Sequence, residues 1–193
     1  MNIYTPMRNI PMRHSQFFFT LLLLLFTFLF SGCIGKFHDI AQSGSVTDLK
    51  QEIKTQEDKQ EALAWAATYG NSAQVEYLLK EGVDVNYKVN HKFRLYPVIV
   101  RAAGTNNLQI VKLLVAHGAR INLQDDYGWT AVSSAAHNGY ADMLRYLVDK
   151  GGDLYATNYD GKSAISILQQ RGQTELIQEL LHIQQKEKLE KQA

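Results

Sequence analysis

The chain of 193 residues contains a single cysteine, Cys33, so no disulfide can form within it. The structure it adopts must therefore come from packing. It lacks an excess of charge of either sign: 20 lysines and arginines stand against 19 aspartates and glutamates. That balance argues against a nucleic-acid partner, which calls for a basic stripe. The six histidines show no i, i+4 pair and join no Cys/His cluster, so the spacing that holds a metal ion is missing. No G-x-S-x-G elbow occurs either. Neither an enzyme nor a cofactor is expected.

A membrane-spanning run of full length is also missing. Phe17 to Phe30 is an uncharged stretch, preceded by Arg8 and Arg13 and followed by no acidic residue before Asp39. As a helix it reaches roughly 21 Å, short of the ~30 Å hydrocarbon core and suited to the apolar region of a secretion signal. Counting on to Ile34 adds about one turn more, which leaves an uncleaved anchor open. Immediately after the run, Phe30-Ser31-Gly32-Cys33 resembles the bacterial lipobox, in which a small residue precedes a cysteine that is lipidated and becomes the new N-terminus. The resemblance covers that tetrapeptide and its apolar lead-in, with Phe30 where the family usually has leucine. It implies residues 1–32 as a signal peptide, Cys33 as the lipid-bearing residue and 33–36 as a short linker. A lipidated Cys33 leaves no thiol for a catalytic Cys/His pair. Met12 starts a more compact signal than Met1 and yields the same mature chain. Ile34, in the place where aspartate marks inner-membrane retention, implies the outer membrane facing the periplasm, with the cell surface as an alternative.

What the chain has in quantity is repetition. Tyr77-Leu-Leu-Lys-Glu-Gly82-Val-Asp-Val-Asn86 aligns with Leu113-Leu-Val-Ala-His-Gly118-Ala-Arg-Ile-Asn122 and with Tyr146-Leu-Val-Asp-Lys-Gly151-Gly-Asp-Leu-Tyr155. The glycine positions rise by 36 and then by 33, and Gly70, Asn106, Gly139 and Gly172 repeat the same steps. Asparagine substitutes for glycine at 106 because it too tolerates a left-handed turn. Apolar residues recur at i, i+3, i+4 in Val75/Leu78/Leu79, Ile110/Leu113/Leu114, Met143/Leu144/Leu147 and Ile177/Leu180/Leu181, each an amphipathic helix stripe. Alanine pairs at 66–67, 102–103 and 135–136 mark the first helix of each unit, which packs closely on its neighbours, and the stripes belong to the second.

A period of 33 with Thr130-Ala-Val-Ser-Ser-Ala135-Ala136, and weaker copies from Glu61 and Ser163, resembles the ankyrin repeat, a β-turn followed by two antiparallel helices. In the middle unit Pro97 sits one position from its usual place. The resemblance implies an all-α solenoid over residues 37–183, with about five units including a reduced first unit and a closing cap, then a polar helical tail at 184–193. From Gly44 to Gly70 the step falls well short of the full period, so the finger of the first unit is expected to be missing. Ala156 to Ser163 satisfies a relaxed phosphate-loop pattern, but its phase makes it the repeat's own turn.

Ligands of this family usually contact the finger tips and the exposed end of each first helix, the concave face. Carried onto this chain, those positions are Thr68 and Tyr69, Gly104 and Thr105, His137 and Asn138, Gln170 and Arg171 on helices. On fingers they are Asp126, Tyr127 and Trp129, then Tyr159, Asp160 and Lys162. The third unit carries an insertion in Tyr87 to Tyr96, which adds Lys88, His91, Lys92 and Arg94 around Phe93. Insertions often map to the binding face, although a loop insertion is also cheap. Expected partner-binding residues are therefore Tyr69, Phe93, Arg94, Tyr127, Trp129, His137, Tyr159 and Lys162. The expected role is a protein-binding module or adaptor tethered in the bacterial envelope. The alternative is an immunity protein or inhibitor of a cognate toxin or enzyme.

Overall fold

The computed structural model describes residues 37–91 and 94–192, and it divides the chain into residues 1–36 and 37–193. The apolar run and Cys33 lie outside the described residues, as do Lys92 and Phe93.

Among the described residues, all in the second unit, ten helices and one hairpin follow one another. They are α1 (His38–Ser43), α2 (Val46–Glu52), α3 (Gln56–Tyr69), α4 (Ser72–Lys80), β1 (Lys88–His91), β2 (Arg94–Pro97), α5 (Val98–Gly104), α6 (Leu108–Ala116), α7 (Ala131–Asn138), α8 (Ala141–Asp149), α9 (Ala164–Gln170) and α10 (Thr174–Glu190). The odd-numbered helices pack on one another in order, and each even-numbered helix pairs with the odd one before it, giving the expected two-layer solenoid. No helix among the described residues is long and apolar enough to cross a membrane.

Local chemistry starts and stops these helices. Thr55 and Asp58 form a reciprocal capping box at the start of α3, as do Thr130 and Ser133 at α7 and Ser163 and Ser166 at α9. Pro97 occupies the same N-cap place before α5, with φ −61° and no side-chain bond. Its fixed φ replaces the hydroxyl as the device that sets the chain's entry. Between paired helices the backbone turns through a left-handed residue: Gly70, Gly139 and Gly172, with Asn106 at φ 59° the one non-glycine among the described residues to adopt that conformation.

The core runs the length of the stack. Ala66, Ala67, Ala102, Ala103, Ala135 and Ala136 are fully buried where neighbouring odd helices meet, so the backbones approach closely. On the even helices the residues in common phase are Leu78, Leu114, Leu147 and Leu180, all fully buried. Leu113 is only half-buried, because it matches Tyr77 and Tyr146 one place before that stripe. A buried leucine and its half-buried neighbour are both apolar, so composition alone does not separate them.

Polar side chains tie successive units together. Asn86 donates to the Gly118 carbonyl (3.1 Å) and accepts from the Arg120 amide (2.8 Å), and Asn122 repeats this with Gly151 and Asp153 one period later. Asn71 reaches back to the Ala41 carbonyl (3.1 Å), and Asn107 to those of Ala67 and Thr68 (2.9 and 3.0 Å), so each closes the carboxyl end of the preceding odd helix. On the even-helix side Arg145 forks onto Glu179 (2.7 and 2.9 Å) and also meets Asp142.

One feature follows from the shortened first step and two go beyond the sequence pattern. No finger joins α2 to α3, which are linked by Ile53, Lys54 and Thr55 alone. The enlarged finger carries a true antiparallel strand pair, matching Lys88 with Pro97 and His91 with Arg94. Finally, α10 is a single helix of 17 residues, so the polar tail continues the last unit. Its Glu187, ion-paired to Lys191, covers Gly151, where an added Cβ would meet Glu187 Oε1 and Lys191 Nζ at 3.2 Å.

Leu114→Ala or Leu147→Ala should cost about 2–5 kcal/mol in urea unfolding, as expected for a buried leucine with limited room to collapse. Leu189, 61 % exposed, should lose almost nothing as alanine. A second outcome concerns pH. The Arg145 guanidinium holds the Glu179 carboxyl below the usual carboxylate range. A carboxylate with a depressed folded pKa stabilises the fold at neutral pH and loses that contribution as pH falls through its folded value. The melting difference between wild type and Arg145→Met should therefore be small at neutral pH, given the exposure of the pair, and should vanish in acid. A difference that persists in acid would assign the effect to packing of the arginine stem.

Candidate functional site

The finger tips are built by buried polar residues. Asp125 Oδ1 accepts the backbone N–H groups of Tyr127 (2.9 Å) and Trp129 (2.8 Å), and Asn158 Oδ1 accepts those of Asp160 (3.0 Å) and Lys162 (2.8 Å). These side chains act as the turn's internal acceptors, which fixes the direction in which the next residues project. The Tyr159 amide donates to the Tyr127 carbonyl (3.0 Å), joining one finger to the next. Gly128 allows this approach, since a Cβ there would stand 2.9 Å from Asn158 Cα. The same bonds use up the amides of Asp160 and Lys162 in the loop that resembled a phosphate cradle. Gly161 N–H donates to the Asn158 carbonyl and Ser163 N–H to Ser166 Oγ, so that loop keeps its donors to itself.

Above the fingers, the first-helix face carries a cleft of about 470 Å³ between α5 and α7. Its wall includes Tyr96, Arg101, Gly104, Thr105, Trp129, Ser134 and His137. The Trp129 and His137 rings meet edge to face with centroids 5.2 Å apart. Phase explains the opening. Gly104 stands where the other units have Thr68, His137 and Gln170, and Ser134 stands where they have Trp65, Arg101 and Ile167. Both positions fall to their smallest side chain at the same junction, and the two still approach closely: a Cβ at 104 would lie 2.9 Å from Ser134 Oγ.

One period back lies an aromatic cluster. Tyr69 Oη and His38 Nε2 are 2.5 Å apart, and His38 stands edge-on to both Trp65 and Tyr69. Trp65 stacks on Tyr69 at 6.1 Å. Arg101 links this cluster to the cleft, with its guanidinium carbon 5.7 Å from the ring centres of both Trp65 and Tyr96.

The structure therefore brings Trp129 and His137 into one cleft and sets Tyr127 and Tyr159 on adjacent tips, exposed by 48 % and 77 %. Lys162 is exposed on the same finger as Tyr159, and its ammonium has no partner among the described residues. Tyr69 belongs to the separate cluster with His38 and Trp65. Phe93 lies outside the described residues; Arg94 is placed by its backbone in β2, and its side chain too lies outside them. Burial and bonding qualify two of the positions carried over from the repeat phase. Trp129 is half-buried against the core and is not a free surface ring. Arg171 is committed to its own fold, donating to the Ala136 carbonyl (3.1 Å) and that of His137, which closes α7. Trp65, Tyr96, Arg101 and Ser134 were missed by sequence reasoning. The phase could have found Trp65 and Arg101, since they share the position of Ser134, one turn before the helix end.

On the opposite side, a second cleft of about 650 Å³ is lined by Arg145, Gln173, Thr174, Glu175 and Glu179, with its main charges already paired. Among the described residues no three His, Cys, Asp or Glu side chains gather as a metal site would require.

Comparison with known proteins agrees with this architecture. Protein phosphatase 1 regulatory subunit 27 of Homo sapiens is 49 % identical over 57 residues, which cover 30 % of this chain and 37 % of that protein. The B-cell lymphoma 3 protein homolog of Mus musculus is 34 % identical over 139 residues, 72 % of this chain and 30 % of the other. Notch-regulated ankyrin repeat-containing protein A of Danio rerio is 31 % identical over 104 residues, 51 % of this chain and 89 % of that one. The chain spans a little over a third of the length of the phosphatase regulatory subunits it matches. A family model described as "Ankyrin repeats (3 copies)" matches residues 37–125 and 98–192, and with the stacked helix pairs seen here the chain belongs to the ankyrin-repeat family.

Proposed function

We propose that this chain is a non-catalytic protein-binding module, held at a bacterial membrane through a lipid on Cys33, that grips its partner with the face formed by finger tips and odd-helix ends. The observation that carries the binding role is the cleft at Gly104 and Ser134, flanked by Trp129, His137 and the exposed Tyr127 and Tyr159. Aromatic side chains with a polar handle supply large contact area and dominate interface energetics. The relatives support a binding role, since the phosphatase relative is named a regulatory subunit. The tether is supported by Ser31-Gly32-Cys33 at the end of the apolar run and by the absence of any second cysteine. Outer-membrane attachment facing the periplasm is the reading that Ile34 favours.

The tether is tested by labelling with palmitate and phase partitioning. Wild-type chain should incorporate label and enter the detergent phase, whereas Cys33→Ser should do neither. Membrane partitioning of the mutant equal to wild type would indicate an uncleaved apolar helix.

The binding face is tested by site-specific photo-crosslinking in intact cells. A crosslinking residue at His137 or Tyr159 should trap a discrete adduct, and one at Gln109 or Lys112 should not. Tyr159→Ala should weaken the captured interaction by at least ~2 kcal/mol with little loss of stability, as for an exposed hot-spot residue. Trp129→Ala should weaken binding too but also lower the melting temperature, because its ring packs on the core. Adducts confined to Gln109 and Lys112 would move the interface to the even helices.

A further inference from the structure

Two arginines of the odd helices and their ends face the first-helix side of the stack, and they are used differently. Arg171 gives its terminal nitrogens to the carbonyls at the end of α7. Arg101 gives only Nε, which donates to Thr68 Oγ1 at 2.9 Å, and the Thr68 hydroxyl donates in turn to the Ala64 carbonyl at 2.7 Å. The guanidinium of Arg101 is thus placed by Thr68 and lies near the rings of Trp65 and Tyr96. Among the described residues its two terminal nitrogens have no hydrogen bond and no ion pair.

This arrangement is chemically incomplete. Aromatic faces attract the cation but cannot accept the N–H bonds that radiate in its plane. Those terminal N–H groups form a planar fork whose geometry matches a carboxylate, and a guanidinium sheds water more readily than an ammonium. Its side chain is already held, so little further rotamer entropy is lost when an acceptor arrives. Arg101 is the one arginine or lysine among the described residues of the cleft wall, beside the small residues Gly104 and Ser134 and the Trp129 ring. The one carboxylate among the described residues of that wall, Asp125, has its Oδ1 occupied by backbone amides of its own finger.

We propose that the cleft receives an aspartate or glutamate side chain from an extended segment of a protein partner, its carboxylate seated on the in-plane edge of Arg101 and an adjacent apolar side chain set against Trp129. The inference rests on the reading that this face binds protein and adds what the bound segment must carry.

The test uses the full chain in detergent micelles and a displayed library of random short peptides as the probe. Selected peptides should share an acidic residue next to an apolar one. Arg101→Gln and Arg101→Lys should each weaken their binding by about tenfold or more, the lysine variant because it keeps the charge and loses the fork. Replacing the peptide's glutamate by glutamine should give the same loss in wild type and no further loss in Arg101→Gln. Arg145→Gln, on the opposite side, should bind as wild type. Melting curves check that both Arg101 variants remain folded. An unenriched library, or peptides that bind Arg101→Gln and Arg101→Lys as well as wild type, overturns the carboxylate seat. If those peptides still lose affinity on Trp129→Ala, the face remains a protein-binding face and only this inference fails. If they lose it on neither, the face itself is wrong.

Discussion

Close contact between alanine-bearing helices is the constraint from which the rest of this structure follows. No helix pair in a solenoid of this kind buries its own apolar face, so each unit depends on its neighbours for a core. Alanines at 66–67, 102–103 and 135–136 bring successive odd helices near enough for one unit's side chains to reach the backbone of another. Asn71, Asn107 and Arg171 exploit that proximity and close the ends of α1, α3 and α7. Asn86 and Asn122 do the same on the finger side. The ladder is a consequence of the approach, and its bonds confer register more than energy: each is worth about 1 kcal/mol net, against several for a buried leucine.

Much of this was legible in the chain because a repeat states its rule several times. The glycine and asparagine spacing located every inter-helix turn, including Asn106, and the shortened first step disclosed the missing finger before α3. The limits were equally physical. Leu113 and Leu114 are indistinguishable by type; the repeat alignment pairs Leu114 with Leu147, and the depth of burial shows that this phase is the one facing the core. The tail reads as polar, yet Glu187 and Lys191 use that polarity to cover Gly151. The extra residues after Tyr87 could have been any loop; their antiparallel register is a property of backbone pairing that the short segment does not advertise.

The candidate site was harder to read than the fold. Trp129, His137, Tyr127 and Tyr159 stand at the finger and helix-end positions that the repeat phase marks, but the phase says nothing of depth, and Trp129 is half-buried. Arg171 was expected at the partner's disposal when helix carbonyls already occupy it. Arg101 passed unnoticed because its significance lies in what surrounds it: Thr68 and Trp65 from the previous unit and Tyr96 from the hairpin.

The cleft beside Arg101 owes its existence to two small residues rather than to any large one. Gly104 and Ser134 are omissions in a row that every other unit fills, and neither contributes to the buried core. Under the proposed function, recognition is written as missing volume on an unchanged scaffold. A cavity defined in that way is portable: exchanging small and large residues at the same two phase positions would shift it one period along the stack, with the backbone and its ladder left in place. On that reading, selectivity and foldability are carried by different positions of the repeat, so one can drift while the other is held.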